Sequence, residues 1–348
     1  ITAVLTGVIG FLFLSSQRIA RDIGYSLGRI DFKTYLYTEF RVVLTYIRLL
    51  FLPVNQNFDY EFRLSSSILE WDTLLSLLTI IALIIYAFLL RRRSPIVAFG
   101  ILWFFLTLMP TSSFVPVVDV IFEHRVYMPS IGFALVAAFC ILKGIDLLKG
   151  SMILKSSWNV AAGTVTLLLL AGMTYATIER NRVWESKMSL WSDVVKKSPG
   201  KPRVYMNYGQ ALSERGYYRE SIAVLKRGLE CKDDGTMIRV GLYRELGVSF
   251  YRIGMLDDAI TAYQNGLRYA PYEPTLLNNL SVALLDKGQI EQAKMYAEIA
   301  IKKNPAYADI YYTIGNIHFR MREYQDALAY FLQALKLNPD EPLGYWNV

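Results

Sequence analysis

The sequence predicts an all-α protein in two parts: a multi-span helical membrane domain over residues 1–180, then an α-solenoid of short helix pairs over 202–348. Three observations predict it. Apolar residues make up 53% of the 348 residues, and they concentrate before about residue 178. Beyond that point the chain turns polar and repeats itself. The charge divides in the same way: of a net +7, all but +1 lies before Pro199. A basic excess confined to the apolar part orients a membrane protein better than it serves a nucleic acid. No nucleic-acid-binding motif accompanies it, so no nucleic-acid partner is expected.

Hydropathy places candidate spans at 1–15, 72–90, 96–111, 130–148 and 158–178. Most approach the ~20 residues that cross a bilayer, and backbone groups in lipid must be satisfied within the segment, so these are helices. The third is short and ends at Pro110. The stretch "TYLYTEFRVVLTYIRLLFLP" (34–53) differs. Leu36, Phe40, Val43, Leu44, Ile47 and Phe51 share one helical face, and Glu39, Arg41, Thr45 and Arg48 the other. That pattern predicts an amphipathic helix, in the interface or packed among other helices.

Orientation follows from Lys and Arg in short loops. "RRRSP" (Arg91–Pro95) belongs in the cytoplasm, and Lys143, Lys149 and Lys155 mark the same side. Residues 55–62, 112–129 and everything after Arg180 are then extracytoplasmic, periplasmic in a bacterium. The chain opens inside an apolar run, without Met or a basic leader, and closes inside a repeat. We expect an internal piece of a longer protein.

After residue 200 the chain is periodic. Gly247, Ser281 and Gly315 stand 34 residues apart, as do Ala259, Ala293 and Ala327, and Pro271, Pro305 and Pro339. Gly209 precedes Gly247 by 38. Small residues at the helix contact and a proline after the second helix, at this period, resemble the tetratricopeptide repeat. Repeats fall at 202–235, 240–273, 274–307 and 308–341; "PLGYWNV" (342–348) opens a truncated fifth, and 181–201 is a half-repeat junction. Such repeats stack into a superhelix with a concave binding surface. Its inner helices would present Arg203, Gln210, Arg244, Tyr251, Asn278, Tyr312, Asn316 and Arg320 to a protein or peptide; the plain alternative is ordinary solvated helix surface. His318 falls at a bulky core position and is expected to pack. Two cysteines, Cys140 and Cys231, give no disulfide framework, and two histidines are too few for a His-based metal site.

"FEHRVYMPSIGF" (122–133) puts Glu123, His124 and Arg125 at the mouth of an apolar run. Three readings stand. Tyr127, His124 and Arg125 could anchor the helix at headgroup depth, with Pro129 in its first turn. Glu123 could form an internal ion pair with Arg125, or with another buried residue, and hold helices in register. Or Arg125 and His124 could bind a lipid phosphate, which suits the planar guanidinium fork.

Together, "YIRLLFLPVNQNFDYEF" (46–62), "EHRVYMPSIGF" (123–133) and "ERNRVWESKMSLWSDVVKKSPGKPRVYMNYGQAL" (179–212) resemble polyprenyl-phosphate-sugar glycosyltransferases of type C fold that carry C-terminal tetratricopeptide repeats. Animal members are O-mannosyltransferases. In them an acidic-basic pair directly precedes the Y-x-P-S-x-G-F run, whereas here His124 intervenes. The resemblance implies a polyprenyl-phosphate-linked sugar as donor and no certain cofactor or metal. It implies a donor site drawn from Arg125, His124, Glu123, Tyr127 and Asp59. It implies an acceptor held by the repeats through Arg244, Tyr251, Asn278, Tyr312, Asn316 and Arg320. The catalytic acidic residue would lie upstream, in a first outer loop. The alternative is a non-catalytic membrane-anchored scaffold whose repeats assemble a protein complex.

Overall fold

A computed structural model describes residues 30–110, 112, 119–149, 157–232 and 235–339. The chain divides into two compact units, Ile1–Arg182 and Val183–Val348. Among the described residues every regular element is helical.

The first unit contains α1 (Phe32–Phe51), α2 (Trp71–Leu90), α3 (Pro95–Leu108), a 3-10 turn (Glu123–Val126), α4 (Tyr127–Lys149) and α5 (Ser157–Val183). Asp31 caps α1, its carboxylate accepting from the Lys33 and Thr34 amides at 2.9 and 3.1 Å. Pro95 opens α3, where its missing N–H costs nothing. Helices α1 to α4 pack in sequence order, each on the next. Where α3 and α4 cross, Gly100 faces Gly132: a Cβ on Gly100 would come within 2.6 Å of the Gly132 carbonyl oxygen, and one on Gly132 closer still to that of Gly100. The Trp103 indole N–H locks the crossing by donating to the Met128 carbonyl at 3.1 Å.

Among the described residues, two helical stretches are long and apolar enough to cross a bilayer, Trp71–Leu90 and Glu123–Gly144. The expected span at 96–111 is the 14-residue α3, short for a crossing. The expected span at 158–178 falls within α5. That at 1–15 lies outside the described residues.

Helix α1 departs from the sequence reading. Of its apolar stripe only Val43 is buried; Leu36, Phe40, Leu44 and Ile47 are half-buried and Phe51 is exposed. The face turned inward carries Tyr35, Thr38, Glu39, Val42, Tyr46 and Leu49. That face joins an apolar cluster with Phe104, Leu108, Val120, Ile121 and Val126 and places Thr38 and Glu39 inside with it.

The second unit is built of α6 (Lys187–Lys197), α7 (Pro202–Glu214), α8 (Tyr218–Glu230), α9 (Thr236–Arg252), α10 (Leu256–Tyr269), α11 (Pro274–Asp286), α12 (Ile290–Lys303), α13 (Ala308–Arg320) and α14 (Tyr324–Leu337). Each packs on its successor around one core running through Leu225, Leu246, Tyr263, Leu280 and Ile314. The 38-residue step is absorbed by α9, 17 residues long where α7, α11 and α13 have 13. The turns inside the first three pairs pass through Gly216, Gly254 and Gly288 at φ 82, 80 and 83, a region glycine enters without steric cost. In the fourth pair Arg322 takes that conformation.

Size is traded across each helix pair. Gly209, Gly247 and Gly315 leave room for Leu225, Tyr263 and Phe331, each 16 residues on; a Cβ at any of the three would strike that side chain. In the third pair Ser281 replaces glycine, and the residue 16 on is Ala297. Hydroxyls stitch the same crossing from either side. Ser221 Oγ donates back to the Gly209 carbonyl, and Ser281 Oγ donates forward to the Ala293 carbonyl, both at 2.7 Å. Ala293 itself is fully buried. Ala293→Leu should therefore overpack α11 against α12 and cost about 1–3 kcal/mol. Urea melts of a Val183–Val348 fragment would register it as a lower midpoint; an unchanged midpoint would refute the register.

Candidate functional site

In the first unit the charged residues of "FEHRVYMPSIGF" meet partners far away in sequence. Arg125 turns inward, its side chain 5% exposed. Its guanidinium donates to the carbonyls of Val120 at 3.0 Å and Asp119 at 2.8 Å, lies over the Phe122 ring at 5.2 Å, and stands 3.9 Å from Glu39 Oε1. Glu39 is 1% exposed, with Tyr35 and Ser112 beside its carboxyl. Burial raises that carboxyl to about 7, with Arg125 pulling the other way. Tyr46 fastens the same segment, its hydroxyl accepting from the Phe122 amide at 2.9 Å.

Glu123 points elsewhere. Its Oε1 accepts from the Asn57 amide and from the Tyr60 hydroxyl, both at 2.6 Å. Its Oε2 lies 3.7 Å from Arg180 near the end of α5. Burial, and then the bond to Glu123, hold the Tyr60 proton above the ordinary phenol range, so Tyr60 is a donor throughout the physiological range. Asp59 is buried; around it Asn57 donates from Nδ2 to the Asp59 carbonyl at 3.2 Å. His124 is exposed and stacks on Phe122 at 5.1 Å. Tyr127 is exposed.

The structure thus separates two neighbours, Arg125 to Glu39 and Glu123 to Arg180, and keeps Asp59 near Glu123 through Asn57. Glu39, Asn57, Tyr60 and Arg180 escaped the sequence reading. The available signal was Glu39 as the sole acidic residue of α1, whose other charged side chains, Lys33, Arg41 and Arg48, are all basic. A second network, Asp72 with Arg41 at 3.1 Å and Arg63 at 2.8 Å, with Arg63 also reaching Glu70 at 2.9 Å, pins the 63–70 connection to α1 and α2.

In the second unit the eight inner-helix residues divide. Asn278 is buried, its Oδ1 accepting from Thr313 Oγ1 at 2.8 Å across two repeats. Tyr251 donates to Asp286 Oδ2 at 2.6 Å, and Arg320 lies 3.7 Å from the other Asp286 oxygen, so one carboxylate links three repeats. Arg244 bonds its neighbour Glu245 at 3.0 Å. Tyr312 packs on Phe331 at 5.5 Å. Arg203 and Asn316 are half-buried, and Gln210 is exposed. His318 is buried, stacked on Tyr330 at 5.2 Å, with Nδ1 2.6 Å from Glu323.

The class defined by the second unit is the tetratricopeptide-repeat solenoid: models of that repeat match residues 202–233, 244–293 and 308–341. More particular likenesses come from whole proteins. The Drosophila melanogaster protein O-mannosyl-transferase Tmtc3 is 26% identical over 248 residues, covering 66% of this chain and 25% of that protein. The mouse protein O-mannosyl-transferase TMTC1 is 29% identical over 212 residues, 55% of this chain and 21% of that protein. The crystal structure of MamA aligns over 44% of this chain and 86% of that one, at 20% identity and a TM-score of 0.38. The chain spans a fifth to a quarter of the length of these two curated relatives. It carries tetratricopeptide repeats and is distantly similar to protein O-mannosyl-transferases.

Proposed function

We propose that this chain is the C-terminal part of a membrane glycosyltransferase, mannosyltransferase-like, that moves a sugar from a polyprenyl-phosphate donor to an extracytoplasmic protein or glycan. The observation that carries this reading is the extent of the likeness to Tmtc3. A match covering 66% of the chain is longer than the repeat unit Val183–Val348, so it reaches into the apolar unit as well. Repeats alone would not produce it. The outward-facing apolar side chains of α2 and α4 support a lipid setting: each apolar window is only 17% buried, which water would tolerate poorly. On this reading the first unit holds the donor lipid, the repeats hold the acceptor, and the catalytic carboxylate lies upstream.

The test uses the full-length protein in detergent, a labelled polyprenyl-phosphate mannose, and extracytoplasmic protein fractions as acceptors. Transfer of label to protein is expected. Donor recovered intact and acceptor left unlabelled by well-folded protein would favour the scaffold, in which the repeats assemble an envelope complex without chemistry.

Topology gives a separate check. "RRRSP" in the cytoplasm puts the repeats outside. A single cysteine at half-buried Ser213, in a cysteine-free background, should react with a membrane-impermeant thiol reagent on intact cells. Protection until the membrane is opened would reverse the orientation.

A further inference from the structure

We propose that residues 51–54, "FLPV", form a re-entrant tip seated at the headgroup–acyl boundary of the outer leaflet, with lipid acyl chains as the partner of this surface. The inference rests on the membrane reading above and adds a lipid contact that lies between the candidate spans. Four consecutive apolar residues are exposed there: Phe51 at 71%, Leu52 at 55%, Val54 at 45%, and Pro53 among them. A run of that kind is costly in water unless something covers it.

Contacts on either side of the tip set its level. On the way down, the Tyr46 hydroxyl of α1 holds the Phe122 amide, and Phe51, at the end of α1, packs edge-on against Phe133 at 4.8 Å. On the way back, the Asn57 amide and the Tyr60 hydroxyl reach Glu123. The chain thus descends from the level of Phe122 and Glu123 to the second turn of α4, and returns. With a rise of about 1.5 Å per residue, Phe133 lies roughly 9 Å along α4 from Tyr127. Apolar faces at membrane interfaces sink about 5–10 Å into the same boundary. Ile131 and Leu135, which flank Phe133 in sequence, are exposed as well, so the tip continues the apolar surface of α4.

The backbone of the tip suits a place that water does not reach. The Leu52 amide donates to the Arg48 carbonyl at 2.7 Å, Pro53 has no amide hydrogen, and the Val54 amide donates to the Leu52 carbonyl at 2.8 Å. The Val54 carbonyl in turn accepts from the Arg48 guanidinium at 3.3 Å. Unsatisfied backbone groups are what keep irregular chain out of a bilayer, and every amide hydrogen of 52–54 has its acceptor. Asn55 then reverses the chain at φ 56, a region that asparagine enters more readily than most residues.

The experiment uses the full-length protein in vesicles of phosphatidylcholine and phosphatidylglycerol. A nitroxide is attached to a single cysteine in a cysteine-free background, at Leu52→Cys in one protein and Val54→Cys in a second. Leu78→Cys, exposed on α2, is the hydrocarbon reference, and Lys302→Cys, exposed on α12, is the water reference. Power saturation measures collisions of the label with oxygen, which concentrates in hydrocarbon, and with a water-soluble nickel chelate present on both faces of the membrane. At Leu52 and Val54 the oxygen-to-nickel ratio should fall between the two references and nearer that of Leu78. A ratio at both sites equal to that at Lys302 would place the tip in water and overturn the proposal. Few collisions with either reagent would mean that protein covers the tip, from a second copy or from elsewhere in the chain, and would overturn lipid as its occupant. A Leu78 label that reads as water would instead bring down the membrane reading itself.

Discussion

Gly132→Val is expected to abolish or severely reduce folded protein, because α3 and α4 touch there through their backbones. A Cβ at Gly132 would run into the Gly100 carbonyl oxygen, with Trp103 Cδ1 at 3.2 Å on another side. A flexible side chain could swing away; a carbonyl inside a helix cannot. Overpacking in a close-packed interior costs about 1–3 kcal/mol when neighbours can adjust, so a rigid neighbour puts this variant at the top of that range. The helices would have to separate, breaking the Trp103–Met128 bond as well. Gly144→Ala, on the same helix, is the matched control. Nothing lies within 4 Å of a Cβ there, and removing a mid-helix glycine should be neutral or stabilising by up to about 1 kcal/mol. Melting temperatures in detergent decide it. A Gly132→Val protein that melts with the wild type would mean the crossing is not where the structure puts it.

The two units were legible in the sequence to different depths for physical reasons. A solenoid is quasi-one-dimensional, so each contact repeats at the chain period and shows as Gly247, Ser281 and Gly315 in one column. Even the exception at Ser281 is readable afterwards, since Ala297 shrinks on the facing helix where Leu225, Tyr263 and Phe331 are large. The first unit has no such redundancy. Its polar contacts join residues 63 to 86 positions apart, Tyr60 to Glu123 and Glu39 to Arg125, and no local pattern encodes a distance of that kind. The charges of "FEHRVYMPSIGF" announced that partners existed without saying which. The amphipathic reading of α1 sorted its residues into two faces without saying which one packs, and the buried side of the helix takes Val43 from one and Glu39 from the other.

Arg125→Met should be the most damaging single change among the polar residues of the first unit. It leaves the Glu39 carboxyl buried beside no cation and strips the Val120 and Asp119 carbonyls of their donors. Breaking a buried pair from one side costs about 3–5 kcal/mol. The pair should also betray itself through pH. Burial raises the Glu39 carboxyl from 4.5 to about 7 in the folded chain. The folded state therefore holds a proton that the unfolded state has released, and stability falls as pH rises between about 4.5 and about 7. Glu39→Gln removes the titrating group and should flatten that slope. Arg125→Met removes the one charge that opposes the shift, so its decline should continue to higher pH. In the double variant no charge is left to strand at position 39, and part of the Arg125→Met loss should return. Melting temperatures of the four proteins in detergent, taken across this pH range, form a closed cycle. A Glu39→Gln slope identical to that of the wild type would show that Glu39 does not titrate in this window. A double variant no more stable than Arg125→Met would assign the damage to the lost carbonyl bonds instead of the stranded carboxylate.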